Sequence, residues 1–143
     1  MTKQPSLSII IVSYNTRDMT LACLRSVQQA TRTLRYEICV LDNASSDGSA
    51  DAIAAEFPDL HLIRSSENLG FAKANVVAAA KTQSDLILLL NPDTIVLDQA
   101  IDNLVAFSES HPEAGIWGGR TLFADKSLNP TSCWRKMSIW NIY

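Results

Sequence analysis

Leu86-Ile87-Leu88-Leu89-Leu90-Asn91-Pro92-Asp93 is the stretch on which the reading of this chain turns. Five consecutive apolar residues, bounded by Asp85 and by a proline turn, predict a strand buried on both faces. Open α/β sheets bind ligands in the crevice beyond the carboxyl ends of their strands. The amide of Asn91 and the carboxylate of Asp93 are therefore placed where a ligand would arrive.

Outward from this stretch, apolar runs alternate with helical patterns. Leu7–Ser13 is β-branched and continuous, and predicts a central strand. A helix is expected from Thr16, a plausible N-cap, to Ala30, with Met19, Cys23 and Val27 spaced four apart beside Leu24. Tyr36–Leu41 is the second strand, followed by a dense turn cluster, Asp42 to Ser49. Helix Ala50–Phe57 stops at Pro58, and Leu60–Arg64 is a short third strand. Helix Phe71–Thr82, strand Leu86–Leu90, helix Asp98–Ser110 and a weaker strand Gly115–Gly119 complete the order. The predicted fold class is α/β: a Rossmann-like, mainly parallel sheet flanked by helices.

The 143 residues suffice for one domain with a sizeable core, and 47% hydrophobic against 19% charged is an ordinary globular balance. A net charge of -3 with scattered basic residues argues against nucleic acid as a partner. Cys23, Cys39 and Cys133 form no CxxC pair and no disulfide framework, which favours a reducing compartment. Leu7 to Val12 is too short for a signal-peptide core, and no stretch approaches the roughly 20 apolar residues of a bilayer span. A cytoplasmic protein is expected, with peripheral association at the inner membrane face left open. Trp134, Met137, Ile139, Trp140 and Tyr143 crowd the end of the sequence. That surface would be covered by a continuation of a truncated chain, or would drive homo-oligomerisation.

Three strand ends deliver polar residues to one edge: Ser13-Tyr14-Asn15, Asp42-Asn43 and Asn91-Pro92-Asp93. Each alone also reads as a solvated turn or a cap; together they mark a site. Neither GxGxxG nor GxxxxGK[ST] is present, so the dinucleotide fingerprint and the P-loop are excluded. A phosphate bound here would need a metal and a few side chains to neutralise it, and Asp93 is the candidate for holding that metal.

Val12-Ser13-Tyr14-Asn15, the Leu41 to Ser49 segment, Asn68-Leu69-Gly70-Phe71-Ala72 and Leu90-Asn91-Pro92-Asp93 occur in that order. As a set they resemble the N-terminal half of family 2 glycosyltransferases with the GT-A fold, particularly the rhamnosyltransferase-like members, over Leu7 to Arg135. The resemblance implies an inverting transferase of polysaccharide or cell-wall biosynthesis. It would bind a UDP- or dTDP-sugar with Mg²⁺ or Mn²⁺ and pass the sugar to a glycan or lipid-linked acceptor. It also implies that Ser13, Tyr14, Asn15 and Asn43 line the nucleotide site, and that Asp42 accepts a hydrogen bond from the nucleobase ring. Gly70, Lys73 and Asn75 would approach the diphosphate or sugar. Asp93 would be the final acid of the Asp-x-Asp metal motif, with Asn91 replacing its first acid.

The family usually continues Gly-Asn-Asn after Gly70-Phe71-Ala72, where this chain reads Ala74-Asn75-Val76, with Ala78 at a later glycine position. In the family the general base lies in the second half, so the resemblance implies one beyond residue 143; Asp125 reads as a turn residue, and neither His61 nor His111 has a partner at triad or metal spacing. Two other readings stand beside this one. The first is a catalytically silent nucleotide-sugar-binding or scaffold domain. The second is a receiver-like α/β domain with Asp42 as phospho-acceptor, which lacks the acidic pair at the end of its first strand.

Overall fold

The computed structural model of the protein describes residues 6–130. Strands β1 (Leu7–Ser13), β2 (Tyr36–Asp42), β3 (His61–Arg64) and β4 (Leu86–Leu89) form a parallel sheet in the order β3-β2-β1-β4. Helices α1 (Arg17–Ala30), α2 (Ser49–Glu56), α3 (Phe71–Ala79) and α4 (Ala100–Ser110) complete the order of elements. This is the expected α/β class.

The strand order dictates where the helices lie. From β1 the chain steps through β2 to β3 in one direction, then returns to the opposite side of β1 for β4. Right-handed crossovers then place α1 and α2 on one face and α3 on the other. The side chains agree. Ile10 and Val12 of β1, with Cys39 and Leu41 of β2, pack against Ala74 and Ala78 of α3. The small alanines let α3 lie close to the sheet, while Ile9, Ile11 and Val40, of opposite parity, are fully buried on the other face. β1 is buried along its whole length because a paired strand flanks it on each side.

Three expectations change. β4 is an edge strand: Leu86 and Leu88 are half-buried, whereas Ile87 and Leu89 are about half exposed (49% and 53%), so the apolar run is not buried on both faces. The segment Gly115–Gly119 forms no strand; three glycines in five residues offer little side-chain surface to hold it against a neighbour. Helix α3 ends at Ala79 and not Thr82, and the amides of Lys81 and Thr82 instead close tighter turns on the carbonyls of Ala78 and Ala79.

The chain divides between Asp102 and Asn103 into two compact units. The first holds the sheet and α1 to α3. The second contains the rest of α4 and a short hairpin closed by an antiparallel bridge between Leu122 and Leu128. Cys23 and Cys39 are buried free thiols; Cys133 and the aromatic stretch from Trp134 lie outside the described residues. Among the described residues no helix is long and apolar enough to cross a membrane.

Candidate functional site

β1 is the strand from which the chain departs in both directions, so the crevice between the ends of β1 and β4 is a topological switch point. A cleft of about 470 Å³ opens there, within the usual range of ligand sites. Val12, Tyr14, Thr16 and Met19 form one side. Asn43, Asn68, Gly70 and Phe71 form a second, and Asn91, Pro92 and Asp93 a third.

The loop after β1 is fixed from within and from its neighbour. The hydroxyls of Ser13, Thr16 and Thr20 form a closed triangle of hydrogen bonds at 3.0–3.2 Å, and Ser13 is fully buried. Asn15 sits in the left-handed region (φ 52°), donates its amide to Ser45 Oγ and accepts from the Ser46 amide at its Oδ1. Thr16 bounds α1, but its hydroxyl makes no cap to the helix backbone. Asp47 does so from the next loop: its Oδ2 accepts the Arg17 amide at 2.9 Å. The Ser49 hydroxyl, the Arg17 amide and the Ser49 amide together hold the Asp47 carboxyl below its ordinary pKa. Tyr14 and Met19 are left exposed on the cleft (48% and 57%).

Asp42 ends β2, in register with Ser13, and is 3% exposed. Its Oδ2 accepts the Ser45 amide at 3.1 Å, while its Oδ1 is buried without a partner. An unsatisfied buried carboxylate oxygen is costly, on the order of 1–3 kcal/mol. Asn43 is equally buried, and both its amide atoms are bonded to the loop before α3.

The turn after β4 is held by α1. Leu90 continues the pairing with Ile10, and the Thr94 amide closes a turn on the Asn91 carbonyl. Cys23 Sγ donates to Asn91 O at 3.6 Å, Ser26 Oγ accepts the Val96 amide at 2.9 Å, and Ala30 O accepts the Gln99 amide at 3.0 Å. Burial, reinforced by the nearby Asp93 charge, pushes the Cys23 thiol up to about 11, so it remains a protonated donor at neutral pH. Among the described residues Asp93 is the single carboxylate lining the cleft, and they contain no cluster of three His, Cys, Asp or Glu that could hold a metal by itself.

Of the residues singled out from sequence, Tyr14, Asn43, Gly70, Asn91 and Asp93 line the cleft together. Ser13, Asn15 and Asp42 do not line it: Ser13 and Asp42 are buried, and Asn15 is exposed and bonded to Ser45 and Ser46. Lys73 and Asn75 do not line it; Asn75 is buried and donates its Nδ2 to Phe71 O at 2.9 Å within its own helix. Asp125 accepts both the hydroxyl and the amide of Ser127, which hold its carboxyl below the ordinary range and weaken it as a base. His61 is exposed, and His111 stacks on Phe107 at 4.1 Å. Sequence reasoning missed Met19, noted only for its helical spacing, and the bridging role of Asp47, whose only signal was its place in the turn cluster.

Comparison with known proteins bears on this arrangement. The family described as Glycosyl transferase family 2 matches residues 8–142. The chain is 26% identical over 128 residues to an N-acetylglucosaminyltransferase of Bradyrhizobium elkanii, covering 86% of this chain and 70% of that protein. It is 30% identical over 113 residues to an undecaprenyl-phosphate 4-deoxy-4-formamido-L-arabinose transferase of Yersinia enterocolitica, covering 75% of this chain and 35% of the relative. Among solved structures, the mannosyltransferase PcManGT of Pyrobaculum calidifontis, in complex with GDP-Man and Mn²⁺, superposes with a TM-score of 0.66 at 23% identity over 75% of this chain and 33% of the other. S. aureus TarS 1–349 in complex with UDP-GlcNAc gives 0.67 at 20% identity over 75% and 32%. The chain thus spans about a third of the length of these solved structures, and the shared fold is GT-A.

Proposed function

This chain belongs to glycosyl transferase family 2, and we propose that its cleft binds a UDP- or dTDP-sugar with a divalent cation at Asp93, for inverting transfer to a glycan or lipid-linked acceptor. The observation that carries this reading is the convergence of Tyr14, Asn43, Asn91 and Asp93 on one cleft at the carboxyl edge of the sheet. Asp42, buried beside that edge, would need the adjoining loop to shift before its unpartnered Oδ1 could accept the ring N–H of uracil or thymine. Names of relatives support the donor class: several are N-acetylglucosaminyltransferases, and one solved relative holds UDP-GlcNAc. The undecaprenyl-phosphate transferase supports a lipid-linked acceptor.

The donor set fits a metal that arrives with its substrate. Mg²⁺ is commonly held by one or two carboxylates, with phosphates and waters completing its shell, and Asp93 is exposed on the cleft as that one carboxylate. When bound, such a cation supplies Lewis-acid stabilisation of the charge that builds on the leaving diphosphate. Asn91, neutral and beside Asp93, would orient a water or a sugar hydroxyl. Tyr14, Met19 and Phe71 present apolar surface to the cleft and would pack against the rings of the donor.

The test is thermal stabilisation by UDP, dTDP, GDP and their sugars, with and without Mn²⁺. A site-specific ligand at a hundredfold over its Kd adds about 2.7 kcal/mol of stability. UDP or dTDP with Mn²⁺ is expected to stabilise most, and Asp93→Asn to remove the Mn²⁺-dependent part. Equal stabilisation of the wild type and Asp93→Asn by nucleotide with Mn²⁺ would remove Asp93 from the metal site. No stabilisation by any nucleotide diphosphate or its sugar would end the reading.

A further inference from the structure

Two hydrogen bonds join the end of β2 to the loop that enters α3, and a third closes the loop on itself. Asn43 Nδ2 donates to Asn68 Oδ1 at 2.9 Å, the Leu69 amide donates to Asn43 Oδ1 at 2.8 Å, and the Gly70 amide donates to Asn68 Oδ1 at 2.9 Å. Asn43 is itself tethered to β1, its backbone amide donating to Ser13 O at 2.8 Å. The side chain is 3% exposed, and both of its polar atoms have protein partners. Beyond this bridge the chain turns through Gly70, at φ 71° and ψ 169°, and delivers Gly70 and Phe71 to the cleft wall. Phe71 is 61% exposed there, so its own packing does little to fix it.

We propose that Asn43 is a positioning residue and not a ligand contact: with Asn68 it forms a side-chain amide latch that holds the Gly70–Phe71 wall in its ligand-binding geometry. The ligand in question rests on the nucleotide-sugar reading above; the latch itself does not. The chemistry explains why an amide stands at position 43. One planar group must offer a donor to Asn68 and an acceptor to Leu69, which a carboxylate or an apolar side chain cannot do. Position 68 has a different requirement. Its Oδ1 accepts twice, from Asn43 Nδ2 and from the Gly70 amide, and a carboxylate oxygen would serve equally.

This asymmetry makes the latch testable with the most conservative changes available. In Asn43→Asp, two oxygens face each other; Asn68 must turn its NH₂ toward position 43, and the Gly70 amide loses its acceptor. Amide hydrogen exchange should then quicken at Gly70 and stay slow at Leu69. Asn68→Asp should keep both amides protected, and Asn68→Ala should release Gly70 alone. Affinity for UDP with Mn²⁺ should fall about tenfold in Asn43→Asp and in Asn68→Ala, the scale of a lost preorganising contact. The double variant should lose no more than either single one, because one latch can be broken only once. Additive losses would mean that Asn43 meets the ligand directly, and continued protection of Gly70 in Asn43→Asp would mean that no latch exists; either overturns the proposal. Asn68→Ala, changed at an exposed position, keeps the test available if Asn43→Asp does not fold. A wild type that binds no nucleotide would end the nucleotide-sugar reading, and the exchange pattern alone would then decide whether the latch exists.

Discussion

Replacing Gly70 and Gly48 by alanine separates two kinds of backbone constraint that look alike in the sequence. Both glycines have positive φ, 71° at Gly70 and 80° at Gly48, but their ψ values are 169° and 12°. A Cβ built at either position meets no atom within 4 Å, so neither substitution creates a clash. The cost is therefore torsional. Gly48 is ordinary left-handed helix, where an L-residue costs about 1–2 kcal/mol. Gly70 lies in the region of positive φ and extended ψ that is essentially restricted to glycine, where the cost is about 1–3 kcal/mol. Alanine also narrows the unfolded ensemble by about 0.4–1 kcal/mol at each site, which offsets part of both costs and cancels from their difference. The expected result is a larger loss for Gly70→Ala than for Gly48→Ala, read as a shift of the urea midpoint at unchanged m. Asparagine sharpens the contrast, because it tolerates the left-handed region: Gly48→Asn should recover most of the lost stability and Gly70→Asn none of it. Equal losses for the two alanine variants, or recovery by Gly70→Asn, would refute the assignment of Gly70 as the torsional pivot of the cleft wall.

Two further outcomes follow from buried polar groups. Burial alone would raise the Asp102 carboxyl, but hydrogen bonds from the Thr33 hydroxyl and the amides of Thr33, Arg32 and Leu34 outweigh it and hold the pKa below its ordinary value. A depressed carboxyl contributes its stability above the unfolded value and loses it as pH falls through the folded one. Asp102→Asn should thus cost about 2 kcal/mol at pH 7, with the deficit shrinking below about pH 4; a pH-independent deficit in urea melts would contradict this. Ser26→Ala leaves the buried Val96 amide without an acceptor and should cost about 1–3 kcal/mol, with faster exchange at that amide; a loss under about 0.5 kcal/mol would mean the bond carries little.

Much of the fold was legible because the strands are short apolar runs between strong turn signals. β1 is continuous and β-branched because both its neighbours are strands and both its faces are covered, and its span was read without error. The same rule failed for β4, whose run looks equally apolar. A sequence does not say which strand stands at an edge, and strand order is fixed by pairings between distant segments. The converging strand ends were legible for a related reason: parallel strands share one carboxyl edge whatever their order. The division of labour among those residues was not. Asp42 and Asn43 are adjacent and equally buried, yet one keeps an unpartnered oxygen and the other has both side-chain atoms bonded. That difference arises from where Ser45 and Asn68 lie in space. Met19 shares the four-residue spacing of Cys23 and Val27, yet it lies in the first turn of α1, where the helix has already reached the cleft.

The three points at which α1 grips the segment after β4 fall at Cys23, Ser26 and Ala30, three and four residues apart and so on one side of the helix. The far end of the same helix is pinned through Arg17 to Asp47. Inserting a single residue between Arg17 and Cys23 would swing all three grips by about 100° relative to the pinned end. Insertions in the exposed Leu97–Asp98 stretch, by contrast, leave the grips at Asn91 and Val96 untouched. Variation in chain length should therefore be tolerated just upstream of Gln99 and refused inside the helix, so that α1 acts as the ruler against which the cleft is measured.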